Sequence, residues 1–161
     1  MKQVPREILI LPQVIIRPAR SDEYDQVARV WMASWVSTGL EDASDSLLEK
    51  LRARVPMEVG KGWSLYVADD NGVLAAMLAL HVPECYLDQL FVAPEYQGNS
   101  LGRRLLAFTR QHLPNQIWLR CVRENEKAWR WYEREGFAFE KEQVESTSGR
   151  AMKYYRWRKS A

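Results

Sequence analysis

Residues 86–113 read YLDQLFVAPEYQGNSLGRRLLAFTRQHL, and this stretch decides the fold of the chain. Residues 86–92 form an apolar and aromatic run that predicts a strand, which a proline closes soon afterwards. Residues 97–102 form a loop of small residues, and the spacing of the following apolar side chains predicts a helix from Arg103 to the breaker Pro114. This order of strand, glycine loop and helix start predicts an anion-binding site. The first N–H groups of a helix are unpaired, and glycines let the backbone approach a ligand closely.

The loop fits neither of two common nucleotide-binding motifs. A P-loop requires GxxxxGK[ST], whereas Gly98 and Gly102 are one residue too close, and Arg103 and Arg104 stand in place of the Lys-Ser/Thr pair. A dinucleotide fingerprint requires GxGxxG, of which only the glycines of GxxxG are present. Triphosphate hydrolysis is therefore disfavoured, and a diphosphate carried by another cofactor fits better. A plain tight turn without a ligand is the alternative interpretation.

Length and composition indicate one globular domain. The 161 residues suffice for a sizeable core, and the net charge of +2 gives no argument for nucleic acid or an anionic membrane. Cys85 and Cys121 lie in or beside apolar strand-like runs, which favours buried free thiols in a reducing compartment over a disulfide. Isolated His81 and His112, without any CxxC, predict that there is no metal site.

The first residues, MKQVPREILILPQ, contain an apolar run at 8–11. That run is too short for a signal-peptide core and far too short to cross a bilayer. We interpret residues 1–13 as an N-terminal arm or an added edge strand, and we expect a cytoplasmic protein that does not bind membranes.

Patterning over the rest of the chain predicts the order β-α-α-β-β-β-α-β-α-β-β. The predicted strands cover residues 14–17, 63–68, 73–80, 86–92, 116–122, 137–144 and 151–157. The predicted helices begin at caps Ser21 or Asp22, Asp45 or Ser46, at Arg103, and at cap Asn125, and they end at Gly39, Pro56, Pro114 and Gly136. This order, without repeats or linkers, indicates a mixed α/β sheet packed by helices.

Two stretches resemble the GNAT family of acyl-CoA-dependent N-acetyltransferases. Residues 90–103, LFVAPEYQGNSLGR, resemble the family's strand and its Q/R-x-x-G-x-G/A pyrophosphate loop. Residues 125–137, NEKAWRWYEREGF, resemble its N-x-x-A-x-x-F-Y-x-x-x-G-F block, with Trp131 where Phe is common. Ser100 departs from the pattern at the first glycine of the loop, where it loses freedom at positive φ but adds a hydroxyl.

The resemblance implies an α+β fold in which a mixed, mostly antiparallel sheet is flanked by about four helices, as one acetyltransferase domain over residues 1–161. It also implies acetyl-CoA as the co-substrate, with backbone N–H groups of the loop on the pyrophosphate and the backbone of the preceding strand paired with the pantetheine arm. An N–H group near Leu90 or Phe91 would then face the thioester oxygen. Arg103 and Arg104 either add charge near a 3′-phosphate or lie in solvent. The implied cofactor-binding residues are Leu90, Phe91, Val92, Gln97, Gly98, Asn99, Ser100, Leu101, Gly102, Arg103 and Asn125.

For catalysis, the resemblance implies direct attack of a primary amine on the thioester in a ternary complex. Tyr132 is the candidate general acid, because its phenol can protonate the departing thiolate; a buried aromatic with a satisfied hydroxyl is the alternative. Asp88 is the first candidate for the base, ahead of Glu84 and His81, and proton loss through water remains open.

The acceptor pocket is predicted between the first two helices and the far end of the central strands. Candidates there are Trp31, Trp35 and Glu41, with Asp42 and Asp45, and such a lining suits a cationic amine. Two tryptophans four residues apart are also typical of a helix core. The predicted partners are a small-molecule or peptide amine, with the protein as a monomer or homodimer.

Two other functions compete with catalysis. A GNAT-shaped module that senses acyl-CoA without turnover is compatible with Ser100 and with the undetermined base. A nucleic-acid-binding domain is suggested by seven tryptophans and the basic run 153–159, but the tryptophans are scattered through predicted core elements. The sequence therefore favours an enzyme.

Overall fold

The structure, a computed structural model, describes residues 13–160, in which seven strands and four α-helices follow the predicted order. The strands are β1 (Val14–Pro18), β2 (Ser64–Asp70), β3 (Val73–His81), β4 (Tyr86–Val92), β5 (Gln116–Val122), β6 (Ala138–Val144) and β7 (Ala151–Arg158). The helices are α1 (Tyr24–Val36), α2 (Asp45–Gly60), α3 (Leu101–His112) and α4 (Glu126–Arg134). Most of the predicted arm, residues 1–12, lies outside the described residues.

All seven strands belong to one sheet with the spatial order β1-β2-β3-β4-β5-β7-β6. The β4–β5 pair is parallel, and every other neighbouring pair in the described sheet is antiparallel. The prediction of a mixed, mostly antiparallel sheet is confirmed. The parallel pair lies in the middle of the sheet, so any opening between its strands is also central.

Helices cover both faces of the sheet, which explains why β3 is a continuous apolar run. Residues 74–80 are all buried, so neither alternating face of this strand meets water. Met77 packs with α1 and α2 on one face, and Leu78 packs with α3 on the other. The core is therefore two apolar layers separated by the sheet.

The predicted end of the second helix at Pro56 is wrong, because α2 continues through Pro56 to Gly60. Pro56 cannot donate a backbone hydrogen bond, but Val55 is fully buried before it and Val59 packs on the same core after it. Apolar packing on both sides outweighs the lost hydrogen bond. The cap is Ser44, whose Oγ accepts from the Leu47 N–H at 3.0 Å, rather than either predicted residue.

The helix after the loop begins at Leu101, two residues before the predicted start. Leu101 is 1% exposed and packs into the core, which fixes the first turn. The loop is therefore shorter than predicted, and Gly102 belongs to the first turn of the helix. Within residues 13–160, no helix has the length and hydropathy that crossing a membrane requires.

Candidate active site

The two central parallel strands are joined only where they begin. Tyr86 is opposite Trp118, and the Trp118 N–H donates to the Cys85 carbonyl at 3.0 Å. No further residue pair joins β4 to β5 in the described sheet. Residues 88–92 therefore line a cleft that opens through the sheet, and their backbone on this side has no neighbouring strand.

A β-bulge in β4 lies at the base of this cleft. Ala79 is opposite Gln89 and Leu80 is opposite Leu87, so Asp88 is an extra residue without a partner on β3. A bulge bends its strand and changes the direction of a side chain. Asp88, the bulged residue, lies in the cleft wall.

The ladder between β3 and β4 determines which backbone groups face the cleft. The Ala93 N–H donates to the Ala75 carbonyl at 2.8 Å, so this residue pair is a hydrogen-bonded one. Because such pairs alternate in an antiparallel ladder, Phe91 faces β3 with its N–H and C=O, whereas Leu90 and Val92 direct theirs toward the cleft. An extended ligand can pair with that edge as an added strand would.

A cavity of about 660 Å³ extends from this edge over the loop before α3. Gly98 and Ser100 both have left-handed backbone, with φ of +79° and +68°. Arg104 donates the first helical hydrogen bond, to the Ser100 carbonyl at 3.2 Å, so the three preceding N–H groups have no partner within the helix. Those N–H groups and the positive end of the helix dipole suit a phosphate.

Six of the predicted loop residues line this cavity: Gln97, Gly98, Ser100, Leu101, Gly102 and Arg103. Asn99 instead points inward; it is 1% exposed, and its amide atoms have no hydrogen-bond partner among the described residues. A Cβ on Gly102 would lie 3.4 Å from a Trp131 ring carbon, so glycine allows the helix start to approach α4. The Gln97 side chain donates to the Val92 carbonyl at 3.0 Å and connects the loop to β4.

Arg103 and Arg104 have different environments. Arg103 is largely exposed at the cavity rim, where its Nε donates to Glu135 at 2.8 Å. Arg104 donates to the Val14 carbonyl at 2.8 Å and ties α3 to β1. Of this pair, only Arg103 lines the cavity.

Ser100→Gly is expected to raise the free energy of unfolding by about 0.5–1 kcal/mol. A non-glycine residue in the left-handed region costs about 1–2 kcal/mol, which the greater freedom of glycine in the unfolded chain partly offsets. Urea unfolding measures the gain, and calorimetry should show unchanged coenzyme A affinity because backbone groups hold the phosphate. Asn71→Gly, at φ +51° in the β2–β3 turn, is the matched control. A ten-fold loss of affinity in Ser100→Gly would assign the phosphate contact to the hydroxyl instead.

A second cavity of about 310 Å³, the acceptor-side cavity, lies on the other side of the cleft, between α1, α2 and the β6–β7 turn. It is lined by five of the predicted catalytic and acceptor residues: Trp31, Trp35, Glu41, Asp88 and Tyr132. Asp42 and Asp45 are exposed and do not line it. The two cavities share Leu90, Phe91, Asn125 and Ala128, so they meet at the cleft.

Sequence comparison identifies the family to which this architecture corresponds. The model of the acetyltransferase (GNAT) family matches residues 24–137, which include the cleft, the loop and α4.

The chain belongs to the GNAT family.

Known relatives agree with this assignment. The chain is 29% identical over 140 residues to "Probable N-acetyltransferase Rv2775" of Mycobacterium tuberculosis, covering 76% of this chain and 78% of the relative. PH1933 of Pyrococcus horikoshii is similar in structure, with a TM-score of 0.76 at 18% identity over 92% of this chain and 99% of the other. PaiA N-acetyltransferase of Thermoplasma acidophilum, solved with coenzyme A, has a TM-score of 0.68 at 17% identity, covering 89% and 99%. YncA of Salmonella typhimurium, solved with acetyl-CoA, has a TM-score of 0.64 at 15% identity, covering 91% of this chain and 94% of YncA. The predicted family and fold are confirmed.

In this GNAT chain Tyr132 is buried beneath the cleft. Its ring packs edge-on against Phe137, with centroids 5.4 Å apart, and it is 7% exposed. No hydrogen bond engages its hydroxyl among the described residues, although the residue lines the acceptor-side cavity. Burial raises the pKa of Tyr132 well above its usual value, and the neighbouring Cys121 adds to the shift. The phenol therefore keeps its proton at neutral pH.

Asp88 is held by several neighbours in the cleft wall. Its carboxylate accepts hydrogen bonds from Trp63 Nε1 at 2.8 Å and from Gln89 Nε2 at 3.0 Å. His81 Nε2 lies 3.3 Å from the same carboxylate. Of the three candidate bases, Asp88 lines the cavity, whereas His81 and Glu84 do not.

Asp88 also belongs to a cluster of three groups with metal-ligand chemistry. The Asp88 and Glu58 carboxylates and the His81 ring have possible ligand atoms within 4.8 Å of one another. Among residues 13–160, this is the one cluster of three such groups. Trp63 already donates to Asp88, and Arg54 lies 3.8 Å from Glu58. Contacts with other protein residues account for the placement of these side chains. The absence of a metal site stays a prediction.

Asn125 occupies the N-cap position of α4, but the predicted side-chain cap is wrong, because its side chain makes no capping hydrogen bond. Its backbone, at φ −83° and ψ +65°, lies outside the extended region from which a cap side chain folds back. The amide is therefore available to the cleft, where it lines both cavities.

Several charged residues of the acceptor-side cavity are not among those predicted from the sequence. Lys50 and Arg54 come from α2, Arg120 from β5, and Glu145 and Arg150 from the β6–β7 turn. Nothing in the local pattern distinguishes these residues from ordinary surface charges. Their convergence depends on α2 and the last hairpin meeting across the cleft.

Proposed function

We propose that the protein transfers an acetyl group from acetyl-CoA to a primary amine by direct attack within a ternary complex. The observation that carries the proposal is the meeting of two cavities at the β4–β5 cleft, where Leu90, Phe91, Asn125 and Ala128 line both. One cavity has the phosphate-binding loop, and the other has a buried, protonated tyrosine. A module that only sensed acyl-CoA would have no use for the second cavity.

The residues present fit coenzyme A. The N–H groups at the start of α3 would hold the diphosphate, and Gly98, without a Cβ and at positive φ, opens the loop to it. The cleft-facing Val92 N–H and Leu90 C=O would pair with the pantetheine amides, which leaves the Leu90 N–H for the thioester. The complexes of PaiA with coenzyme A and of YncA with acetyl-CoA support this assignment. When bound, acetyl-CoA supplies an activated acetyl thioester.

The Leu90 N–H would act as the oxyanion donor. It points toward the cleft, whereas the Phe91 N–H points toward β3. A backbone donor that is already fixed in direction needs no reorganisation when negative charge develops on the thioester oxygen.

Tyr132 would give its proton to the departing thiolate. Its raised pKa keeps the proton available, and it lines the acceptor-side cavity one helical turn after Ala128, which lines both cavities. Cys121 is the thiol that lines the acceptor-side cavity, and burial raises its pKa to about 12. Because few Cys121 thiols are ionised at neutral pH, an acetyl-cysteine intermediate is unfavourable. This favours direct attack of the amine on the thioester.

Asp88 would accept the proton of the attacking amine, with Trp63 and His81 orienting its carboxylate. Asp88→Asn is expected to lower kcat/KM about 100-fold, within the range for general bases, and to remove the lower-pH limb of the rate profile. Glu84→Gln, one of the other candidates, is the matched comparison. If the limb persists in Asp88→Asn and disappears in another variant, the base lies elsewhere.

Release of free thiol from acetyl-CoA, measured against a panel of primary amines, tests the proposed function. Amine-dependent release, with acetylated amine identified by mass spectrometry, is the expected result. Acetyl-CoA binding without release for any amine would identify a sensor. Salt-dependent retention on DNA or RNA, without acetyl-CoA binding, would instead favour the nucleic-acid interpretation.

A further inference from the structure

The charges of the acceptor-side cavity differ from those expected for a cationic ligand. Four basic side chains line it, namely Lys50, Arg54, Arg120 and Arg150, against three carboxylates, namely Glu41, Asp88 and Glu145. Each carboxylate already has protein partners. Arg120 lies 3.0 Å from Glu145, Trp35 Nε1 donates to Glu41 at 2.9 Å, and Trp63 donates to Asp88.

Two of the arginines are stacked on the two tryptophans of α1. The Arg54 guanidinium lies 5.1 Å from the centre of the Trp31 ring, and that of Arg150 lies 5.4 Å from the centre of the Trp35 ring. Arg54 comes from α2 and Arg150 from the β6–β7 turn, so two different elements supply them to the cavity. One face of each ring, which could attract a ligand cation, is therefore occupied by one of the protein's own cations.

Stacking fixes the plane of a guanidinium but leaves its N–H edge available for an acid group. The nearest carboxylates, Glu58 for Arg54 and Glu41 for Arg150, are each 3.8 Å away, which is longer than a charge-assisted hydrogen bond. Neither guanidinium makes a hydrogen bond to another described residue. Both thus retain charged donors inside the cavity.

We propose that Arg54 and Arg150 bind a carboxylate or phosphate of the acceptor, so that the substrate is an amine that also carries an acid group. This inference rests on the proposed function, because the amine of the same molecule would lie near Asp88 and Tyr132. Trp31 and Trp35 act as positioning residues for the two arginines. Lys50, which also lines the cavity and has no ion-pair partner within residues 13–160, adds positive charge at the same wall.

Matched acceptors test the charge requirement. L-Amino acids are compared with their amides, and O-phosphoethanolamine is compared with ethanolamine, in thiol-release assays. The acid-bearing member of a pair should have the higher kcat/KM by about 10- to 100-fold, the usual effect of hydrogen bonds to charged groups. The two kinds of pair distinguish a carboxylate from a phosphate. Equal rates for acid-bearing and neutral members would overturn the inference while leaving the acetyltransferase assignment intact.

Variants assign the effect to the stacked arginines. Arg54→Gln and Arg150→Gln should each lower kcat/KM for the acid-bearing amine about 10- to 100-fold and leave neutral amines nearly unchanged, with partial recovery in the lysine variants. Arg52→Gln is the matched control, because Arg52 is on the same helix but pairs with Asp25 and Glu49 outside the cavity. Equal losses for acid-bearing and neutral amines in Arg54→Gln and Arg150→Gln would contradict the assignment.

Calorimetry on protein saturated with coenzyme A separates this inference from the function. Acid-bearing amines should bind, and their neutral counterparts should bind at least ten-fold more weakly, whether or not turnover occurs. Selective binding without thiol release would reject the enzyme and keep the anion site. No preference for acid-bearing amines in calorimetry would reject the anion site.

Discussion

Tyr132→Phe is expected to lower turnover by about ten-fold or more and to leave acetyl-CoA affinity unchanged. The substitution removes the hydroxyl, which has no hydrogen-bond partner in residues 13–160, and keeps the ring packed on Phe137. The departing thiolate then has to take its proton from water, and general-acid groups commonly contribute 10²–10⁴-fold. Thiol release gives kcat, and calorimetry gives the acetyl-CoA affinity.

A second buried tyrosine provides the control for this prediction. Tyr155 is fully buried on β7, lines neither cavity, and donates to Glu133 at 2.9 Å. Tyr155→Phe should lower stability through that lost hydrogen bond, by about 0.5–3 kcal/mol, without selectively lowering kcat. Unchanged turnover of Tyr132→Phe at every pH would remove Tyr132 from the mechanism.

Glu23→Gln is expected to lower the free energy of unfolding by about 3 kcal/mol at pH 7. Glu23 is 4% exposed, and both of its carboxylate oxygens accept from Arg17, at 2.9 and 2.6 Å. The Arg20 N–H donates to the same carboxylate at 2.8 Å. Removing one member of a fully buried pair typically costs about 3–5 kcal/mol, because the other charge is left poorly compensated. The Arg17 side chain is partly exposed and keeps its bond to Asp69, so we expect a loss at the lower end of that range.

The same ion pair predicts how stability depends on pH. The hydrogen bonds from Arg17 lower the pKa of Glu23 from about 4.5 to about 2. Because the folded-state pKa lies below the unfolded value, the contribution is fully present above about pH 4.5 and is lost as the pH falls toward 2. Roughly 2 kcal/mol of the Glu23 contribution to the free energy of unfolding should be lost at pH 3.

Urea unfolding of the wild type and of Glu23→Gln at pH 7 and pH 3 measures both effects. The difference in stability between the two proteins should be large at pH 7 and should shrink at pH 3. Asp25→Asn is the control, because its ion pairs with Arg29 and Arg52 are exposed, and exposed pairs contribute little to stability. A Glu23→Gln deficit that stays constant with pH would contradict the role of this carboxylate.

The sequence was sufficient where the signal is local. The bounds of β4 and β5 match the predicted strands at 86–92 and 116–122, because breakers or turns flank both apolar runs. The α3 loop follows from small residues and from the apolar spacing after them. The error at Pro56 has a tertiary cause, because burial of Val55 and packing of Val59 keep α2 helical beyond a residue that usually ends a helix.

The chemistry of the candidate site was only partly predictable. The motif at 125–137 predicts Tyr132, and the position on the central strand predicts Asp88. Both residues line the acceptor-side cavity. The direction of the Leu90 N–H depends on the β3–β4 ladder, which a strand prediction does not specify. The stacking of Arg54 on Trp31 and of Arg150 on Trp35 joins residues 23 and 115 positions apart, and no local pattern encodes either contact.

The central claim is that peptide N–H groups at the start of α3 and along β4 hold coenzyme A. Amide NMR spectra of ¹⁵N-labelled protein, recorded during titration with coenzyme A, test it most directly. We predict saturable shifts of the Gly98, Gly102, Leu90 and Val92 amides, with little change on the outer strands β1 and β6. Binding that shifts amides elsewhere and leaves these four in place, or an absence of any binding, would contradict the account.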